Sequence, residues 1–240
     1  MKKTTITVSI IVLILITSIM LALVYIGEIH LNNPSKKDYP VRGVDVSHYQ
    51  GEINWEQLSN EDISFAFIKA TEGSQHIDDQ FYKNWNKAQN TNLRIGAYHF
   101  FSLDSSGAEQ AKHFCNNVPI IENMLPPVVD IEPYGDYKDN NNLDEEAMIS
   151  GLADFLKNVE DYYLMRPIIY TTEEWYAILQ EDFSEYDIWI RSVYKKPDSS
   201  INWTFWQYSN RHRLSGYSGK KSYIDMNVFN GSIEEFIDYR

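Results

Sequence analysis

Two carboxylates, Asp130 and Glu132, follow a short apolar run and stand two positions apart. The run 127–129 is typical of a buried strand, and side chains two apart on a strand point to the same face. Like charges that close raise the pKa of one partner and keep it protonated near neutral pH. Cleavage of a glycosidic bond needs such a proton donor beside a second carboxylate. The alternative is a pair of solvated acids at an exposed strand end.

The first 27 residues predict a membrane-spanning segment. Residues 6–26 are rich in Ile, Leu and Val and carry no charge, and a bilayer is crossed by a helix of about 20 residues. A cleavable signal peptide has a shorter apolar core and a small-x-small exit, a pattern that residues 23–27 lack. We therefore expect an uncleaved signal anchor at 1–27, with Lys2 and Lys3 in the cytoplasm and the remainder outside the cell.

The rest of the chain divides into a linker and one domain. Residues 28–40 are polar and turn-prone, and fully extended they would reach about 40–50 Å. Residues 41–240 suit a single domain. The net charge of −13 argues against nucleic acid as a partner. The one cysteine, Cys115, excludes an intrachain disulfide, and an exported domain without disulfides is typical of a Gram-positive surface.

Short apolar runs and helical patterns alternate along this domain. The runs predict eight strands, at 41–47, 63–70, 94–101, 127–132, 167–171, 187–191, 203–208 and 223–229. Helical periodicity predicts helices at 79–90, 106–116, 143–162, 173–179 and 232–239. Alternating elements indicate parallel βα units. Since the connections after Arg191 and Tyr208 show little helical pattern, we expect an irregular TIM-like α/β barrel with eight strands and fewer than eight helices, preceded by one transmembrane helix.

In such a barrel the chemistry lies at the carboxyl ends of the strands. Several predicted strands end in acidic, aromatic or amide side chains, which are Asp45, Glu72, Tyr98, Asp130, Glu132, Tyr170, Trp206, Gln207, Tyr208, Asp225 and Asn227. Carboxylates supply proton chemistry, and aromatic rings supply flat apolar faces for sugar rings. The sequence therefore predicts a carbohydrate-binding cleft.

Seven segments occur together in a characteristic order. They read GVDVSHYQGEINW (43–55), FIKATEG (67–73), IGAYHFF (95–101), PVVDIE (127–132), PIIYT (167–171), WQY (206–208) and IDMNVF (224–229). From about Arg42 to the end, the chain resembles the lysozymes of glycoside hydrolase family 25, muramidases of bacteria and phages. The resemblance implies an irregular α/β barrel that cleaves the β-1,4 bond between N-acetylmuramic acid and N-acetylglucosamine in peptidoglycan.

The resemblance also implies roles by position. Glu132 would be the general acid, and Asp45, Asp130 and Asp225 the supporting acids. The expected substrate-binding residues are Tyr98, Tyr170, Trp206, Tyr208 and Glu72, with Glu72 as a hydrogen-bonding partner rather than a catalyst. Arg191 departs from the family pattern, where a small residue is usual, and is expected to narrow or recharge the cleft rim. No cofactor or metal is expected, since the sequence lacks an H-x-x-H pattern.

Alternatives remain at this point. A non-catalytic wall-binding domain and a metal-dependent wall polysaccharide deacetylase are the competing functions. For the lysozyme, the nucleophile is either the 2-acetamido carbonyl of the substrate, oriented by Asp130 or Asp225, or an aspartate. We favour the first by analogy with other hydrolases that carry a D-x-E pair. The expected protein is a monomer that binds peptidoglycan glycan strands outside the cell and is held in the cell membrane by its N-terminal helix.

Overall fold

The computed structural model describes residues 2–30, 32–138, 143–219 and 223–240. Its strands are β1 (Arg42–Val46), β2 (Phe65–Glu72), β3 (His76–Ile77), β4 (Arg94–Phe100), β5 (Val128–Asp130), β6 (Ile168–Thr172), β7 (Asp187–Arg191), β8 (Phe205–His212) and β9 (Ile224–Phe229). Its α-helices are α1 (Lys2–Tyr25), α2 (Trp55–Leu58), α3 (Phe81–Ala88), α4 (Gly107–Asn117), α5 (Glu145–Tyr163), α6 (Glu173–Leu179) and α7 (Ile233–Asp238). Every predicted strand and helix is present, most of them with shifted ends.

Eight strands close into the expected irregular barrel. The order around it is β1, β2, β4, β5, β6, β7, β8 and β9, with β9 paired back onto β1 and the short β3 added beside β2. The strands run parallel from β1 to β8, but β9 is antiparallel to both of its neighbours. The direction of β9 thus departs from the parallel βα units that the alternating pattern indicates, because the connection from β8 to β9 contains no crossover helix among its described residues. As a result, the first residues of β9 lie at the same end of the barrel as the last residues of β8.

The barrel interior is apolar and aromatic below its polar mouth. Phe67 stacks on Trp189 with ring centroids 4.6 Å apart. At the opposite end, Phe236 of α7 packs against Phe65 and Phe229 and closes the barrel. Polar groups at the mouth therefore lie above an apolar interior, and the loss of hydration there shifts their pKa values.

Residues 32–40 cover the outer face of β8, where other strands have a helix. The Tyr39 ring meets the edge of Trp206 at 6.0 Å. The Asn32 amide donates to the carbonyl oxygens of Ser192 at 2.9 Å and Tyr208 at 3.3 Å. These contacts hold residues 32–40 of the predicted linker against the barrel.

The N-terminal helix α1 is apolar over most of its length. Its stretch Thr5–Tyr25 has a mean hydropathy of 2.8 and is long enough to cross a membrane, a property that signal sequences share. The helix ends beside the hairpin between β8 and β9, where Arg211 donates to the Tyr25 carbonyl and Arg213 pairs with Glu28 at 3.0 Å. The cleft end of the barrel is therefore the end nearer to α1.

A tight contact between α4 and α5 gives a stability prediction. A Cβ at Gly107 would lie 1.7 Å from the Gly151 carbonyl oxygen, whereas a Cβ at Gly151 would make an ordinary 3.5 Å contact with Phe101. Gly107→Ala should therefore destabilise the domain by about 1–3 kcal/mol, or roughly 2–4 °C of Tm per kcal/mol for a domain of this size.

Gly151→Ala is the matched control, since it adds the same methyl group within α5. Alanine favours a helix over glycine by up to about 1 kcal/mol, so this variant should melt at or slightly above the wild-type temperature. Thermal denaturation followed by circular dichroism measures both. Equal melting temperatures for the two variants would contradict the close helix packing.

Candidate active site

A cleft of about 510 Å³ occupies the mouth of the barrel. The residues predicted for the site that line it are Asp45, Glu72, Tyr98, Asp130, Glu132, Tyr170 and Asp225. They come from six strands and from the residues that directly follow β5. The barrel thus brings together all four predicted acids, although Asp225 reaches the cleft from the start of its antiparallel strand rather than from a carboxyl end.

Trp206 and Tyr208 do not line the cleft, and their assignment to it is wrong. Their side chains are 2% and 0% exposed and belong to the layer outside the barrel. Strand alternation explains this, because Gln207 between them points into the barrel and its neighbours must point out. Trp206 packs against Tyr39, which belongs to the segment 32–40 that covers the outer face of β8.

Several cleft residues were not predicted as substrate contacts. They are Ser47, Tyr49, Lys69, Phe100, Tyr134, Trp189, Arg191, Gln207, Asn210 and Tyr223. The same alternation could have identified Trp189, since it lies two residues before Arg191 on β7 and opposite Tyr170 in register. Tyr134 and Tyr49 lie outside the strands, where period-two alternation gives no signal.

Asp45 is held by a buried hydrogen-bond network. Its Oδ2 accepts from the side-chain amides of Gln207 at 2.9 Å and Asn227 at 2.8 Å. Gln207 in turn accepts from the Tyr170 hydroxyl at 3.1 Å, and Asn227 accepts from the Trp189 indole at 2.8 Å. Burial raises the pKa of Asp45, and the two amide donors act against that rise. The network fixes the direction of the carboxylate and of two aromatic side chains in the cleft.

The Asp130–Glu132 pair has the properties that its spacing predicts. Burial and the neighbouring Glu132 charge raise the pKa of Asp130 well above its ordinary value. Burial likewise raises the pKa of Glu132, while the positive charges of Arg191 and Lys69 act in the opposite direction. Asp130 Oδ1 is buried and has no hydrogen-bond partner among the described residues. The pair therefore holds one proton more readily than two isolated carboxyl groups do.

Asp225 stands directly opposite Asp45. The two residues are paired across β9 and β1, which places the Cβ atoms of such a pair about 4.5–5.5 Å apart. Asp225 is half-buried, whereas Asp45 is 7% exposed. A second pair of acids thus faces the first pair across the cleft.

Two cations separate the two pairs of acids around the mouth. Lys69 on β2 forms an ion pair with Glu72 at 2.7 Å and lies over the Phe100 ring at 5.0 Å. Arg191 lies at the end of β7, on the opposite side of the barrel. Going around the barrel, the charges therefore alternate between a cation and a pair of acids.

The aromatic side chains form the floor and walls of the cleft. Tyr170 meets the face of Trp189 edge-on at 4.6 Å, and Tyr98 does so at 6.4 Å. Burial, together with the nearby carboxylates, raises the pKa of both tyrosines well above 10, so their hydroxyls stay protonated. These residues offer apolar ring faces with hydrogen-bond donors, a combination that suits sugars.

The histidines near the site have structural partners. His48 Nδ1 lies 2.7 Å from Asp78 Oδ2. His99 is buried between Thr71 and Gln110, and burial lowers its pKa to about 3, so that it is neutral. Among the described residues, no group of three or more His, Cys, Asp or Glu side chains is arranged to hold a metal ion.

Comparison with known proteins identifies the family. The model of the glycosyl hydrolases family 25 matches residues 44–217. Lysozyme M1 of Streptomyces globisporus is 36% identical over 204 residues, which cover 80% of this chain and 68% of that protein.

Solved structures agree. A family 25 glycosyl hydrolase from Bacillus anthracis superposes with a TM-score of 0.81 at 46% identity, covering 88% of this chain and 97% of that one. A bacterial lysozyme from Streptomyces coelicolor gives a TM-score of 0.72 at 35% identity, with 82% and 95% covered. On its fold, its cleft and these matches, the chain belongs to glycosyl hydrolase family 25 and is a glycoside hydrolase of the lysozyme type.

Proposed function

We propose that the protein is a peptidoglycan muramidase in which Glu132 is the general acid. The observation that carries this assignment is the buried Asp130–Glu132 pair at the mouth of a cleft lined with tyrosines. Glu132 is the more exposed member, whereas Asp130 is only 8% exposed. A proton on Glu132 can therefore reach a glycosidic oxygen in the cleft, while Asp130 remains beneath as the second carboxylate.

The aspartates have separate tasks in this mechanism. Asp45 is fixed by two amide donors, which favour its ionised form against the effect of burial, and its carboxylate stabilises the oxocarbenium-like transition state. Asp130 and Asp225 orient and polarise the 2-acetamido group of the muramic acid, whose carbonyl oxygen attacks the anomeric carbon. The unpartnered Asp130 Oδ1 supports this role, because a buried carboxylate oxygen requires a hydrogen-bond donor and the acetamido N–H supplies one.

We further propose that α1 remains in the cell membrane and that the barrel works outside the cell. The 21-residue stretch Thr5–Tyr25 supports an anchor by its length and hydropathy. The contacts of Arg211 and Arg213 with the segment after α1 would keep the cleft end of the barrel near the membrane surface.

The general acid is tested by Glu132→Gln. The amide keeps the shape of the side chain but cannot donate a proton as a carboxylic acid does, so turnover should fall by roughly 10²–10⁴-fold. Reducing ends released from purified cell wall measure the rate, and thermal denaturation checks the fold. Near wild-type turnover in a folded Glu132→Gln protein would exclude Glu132 as the acid.

Acetamido assistance is tested with wall that has been de-N-acetylated at muramic acid. Attack by the acetamido carbonyl oxygen on the anomeric carbon gives a cyclic intermediate, which an amine cannot form. We therefore expect kcat to fall much more than the affinity for the wall does. Asp130→Asn and Asp225→Asn should each slow the enzyme on normal wall but add little further loss on the deacetylated wall. Equal rates of the wild type on the two walls, or a trapped glycosyl–aspartate adduct, would instead indicate an aspartate nucleophile.

Membrane anchoring is tested by fractionation of cells that express the full chain. The protein should sediment with membranes, and external trypsin should cut at the exposed Lys36 and Lys37. A variant with Leu13→Arg and Leu15→Arg is the control, because each arginine costs about 2.5–3.5 kcal/mol at the centre of a membrane helix. Recovery of a shortened, soluble wild-type protein that begins near Gly27 would show that α1 is a cleaved signal.

A further inference from the structure

Arg191 is a cation in the cleft whose guanidinium has no partner within the described part of the protein. The side chain is half-buried and lines the cleft beside Glu132, Tyr170 and Asp225. No hydrogen bond and no ion pair within 4.0 Å is made by its guanidinium among the described residues. Guanidinium groups carry five donors, and partial burial without partners is unfavourable for them. A cleft side chain in this state is available to a ligand.

The other cleft cation is not available in the same way. Lys69 forms its ion pair with Glu72 and rests on the Phe100 ring. Its side chain is 11% exposed. Lys69 therefore has a carboxylate within hydrogen-bonding distance, whereas Arg191 has none among the residues that the structure describes.

Arg191 stays charged whenever substrate arrives. Partial burial acts to lower its pKa, but the neighbouring Tyr170, Glu132 and Asp225 raise it above the ordinary arginine value. The acids of the cleft would repel a substrate anion wherever no cation lies beside them. The side of the cleft formed by β7 is where such an anion meets a positive charge instead.

The planar guanidinium fork matches a carboxylate with two parallel hydrogen bonds. Of the two sugars in peptidoglycan, only muramic acid bears a carboxyl group, on its 3-O-lactyl substituent, and this carboxyl is either free or joined to a peptide that has carboxylates of its own. A cation at one place in the cleft would therefore distinguish muramic acid from N-acetylglucosamine, and so decide which glycosidic bond lies beside Glu132.

We propose that Arg191 binds a carboxylate borne by the muramic acid, on its lactyl group or its attached peptide, and thereby positions that sugar in the cleft. The inference rests on the proposed muramidase function. Because Tyr170 on β6 lies between Arg191 and the residues after β5, the muramic acid would sit over Tyr170 with its lactyl side toward β7.

Binding of glycan strands to Glu132→Gln, with and without Arg191→Gln, tests the proposal separately from catalysis. Three strands are compared by calorimetry: peptide-free strands with lactyl carboxylates, the same strands amidated with methylamine by carbodiimide coupling, and strands that keep their peptides. Lys195→Gln is the matched control, because Lys195 is an exposed cation of the connection after β7 that pairs with Glu173 and does not line the cleft.

Arg191→Gln should raise the Kd for carboxylate-bearing strands by roughly 10–100-fold, the loss expected for charged hydrogen bonds. For amidated strands, Arg191→Gln should change the Kd by less than about 3-fold, the effect expected for loss of an exposed charge. Lys195→Gln should likewise change the Kd by less than about 3-fold on all three kinds of strand. If Arg191→Gln loses affinity only for peptide-free strands, its ligand is the lactyl carboxylate. If it also loses affinity for peptide-bearing strands, Arg191 binds peptide carboxylates as well. Arg191→Lys should restore part of the affinity.

Equal weakening on carboxylate and amidated strands, or no weakening on either, would overturn the assignment. Activity of the wild type and of Arg191→Gln on the same strands gives the second readout, in which KM should rise on carboxylate-bearing strands but not on amidated ones, whereas any change in kcat that acts through the nearby Glu132 should be the same on both. If only kcat and its pH profile change, and equally on carboxylate-bearing and amidated strands, Arg191 acts on the acids and not on the substrate. A wild type that cuts no strand would refute the muramidase function, while the binding comparison would still decide the role of Arg191.

Discussion

Carboxyl groups lose hydration when they lie above an aromatic barrel interior, and four of them do so at this barrel mouth. The structure meets that cost differently at each acid. At Asp45 two amide donors act against the rise in pKa that burial causes, whereas Asp130 is left with an unpartnered oxygen and a pKa raised well above its ordinary value. The first arrangement suits a fixed charge, and the second suits a group that gains and loses interactions during a reaction. The different roles that we propose for Asp45 and Asp130 follow from this difference.

Other parts of the barrel hold these acids in position. The antiparallel β9 brings Asp225 and Asn227 beside β1, which a parallel strand would not do at the same positions. The N-terminal segment covers the outer face of β8, so that Trp206 and Tyr208 are buried without a helix. This cover leaves Gln207, between them, facing inward to bind Asp45. A segment that resembles a linker in sequence therefore contributes to the position of an acid in the cleft.

The sequence predicted the eight barrel strands, the longer helices and the Asp130–Glu132 pair, because apolar periodicity and the D-x-E spacing are local features. Asp45 and Asp225 were expected as supporting acids from the family resemblance. The sequence did not predict the direction of β9, since strand direction depends on what the connection can span and not on the strand itself. Trp206 and Tyr208 were misplaced because the motif around Gln207 was taken as a whole, although alternation lets only its central residue face the cleft. Tyr134 lies after β5, outside any periodic element, and only the folded chain brings it to the cleft.

The central claim is that burial and the mutual repulsion of Asp130 and Glu132 raise the pKa of one carboxyl of the pair well above its ordinary value. The most direct measurement is a pH titration, by nuclear magnetic resonance, of protein labelled with ¹³C at its Asp and Glu carboxyl carbons, with Asp130→Asn and Glu132→Gln used for assignment. The account predicts that one carboxyl of the pair titrates well above the ordinary values near 4 and that its resonance is lost in one of these variants. Titration of both carboxyls at ordinary values would contradict the account.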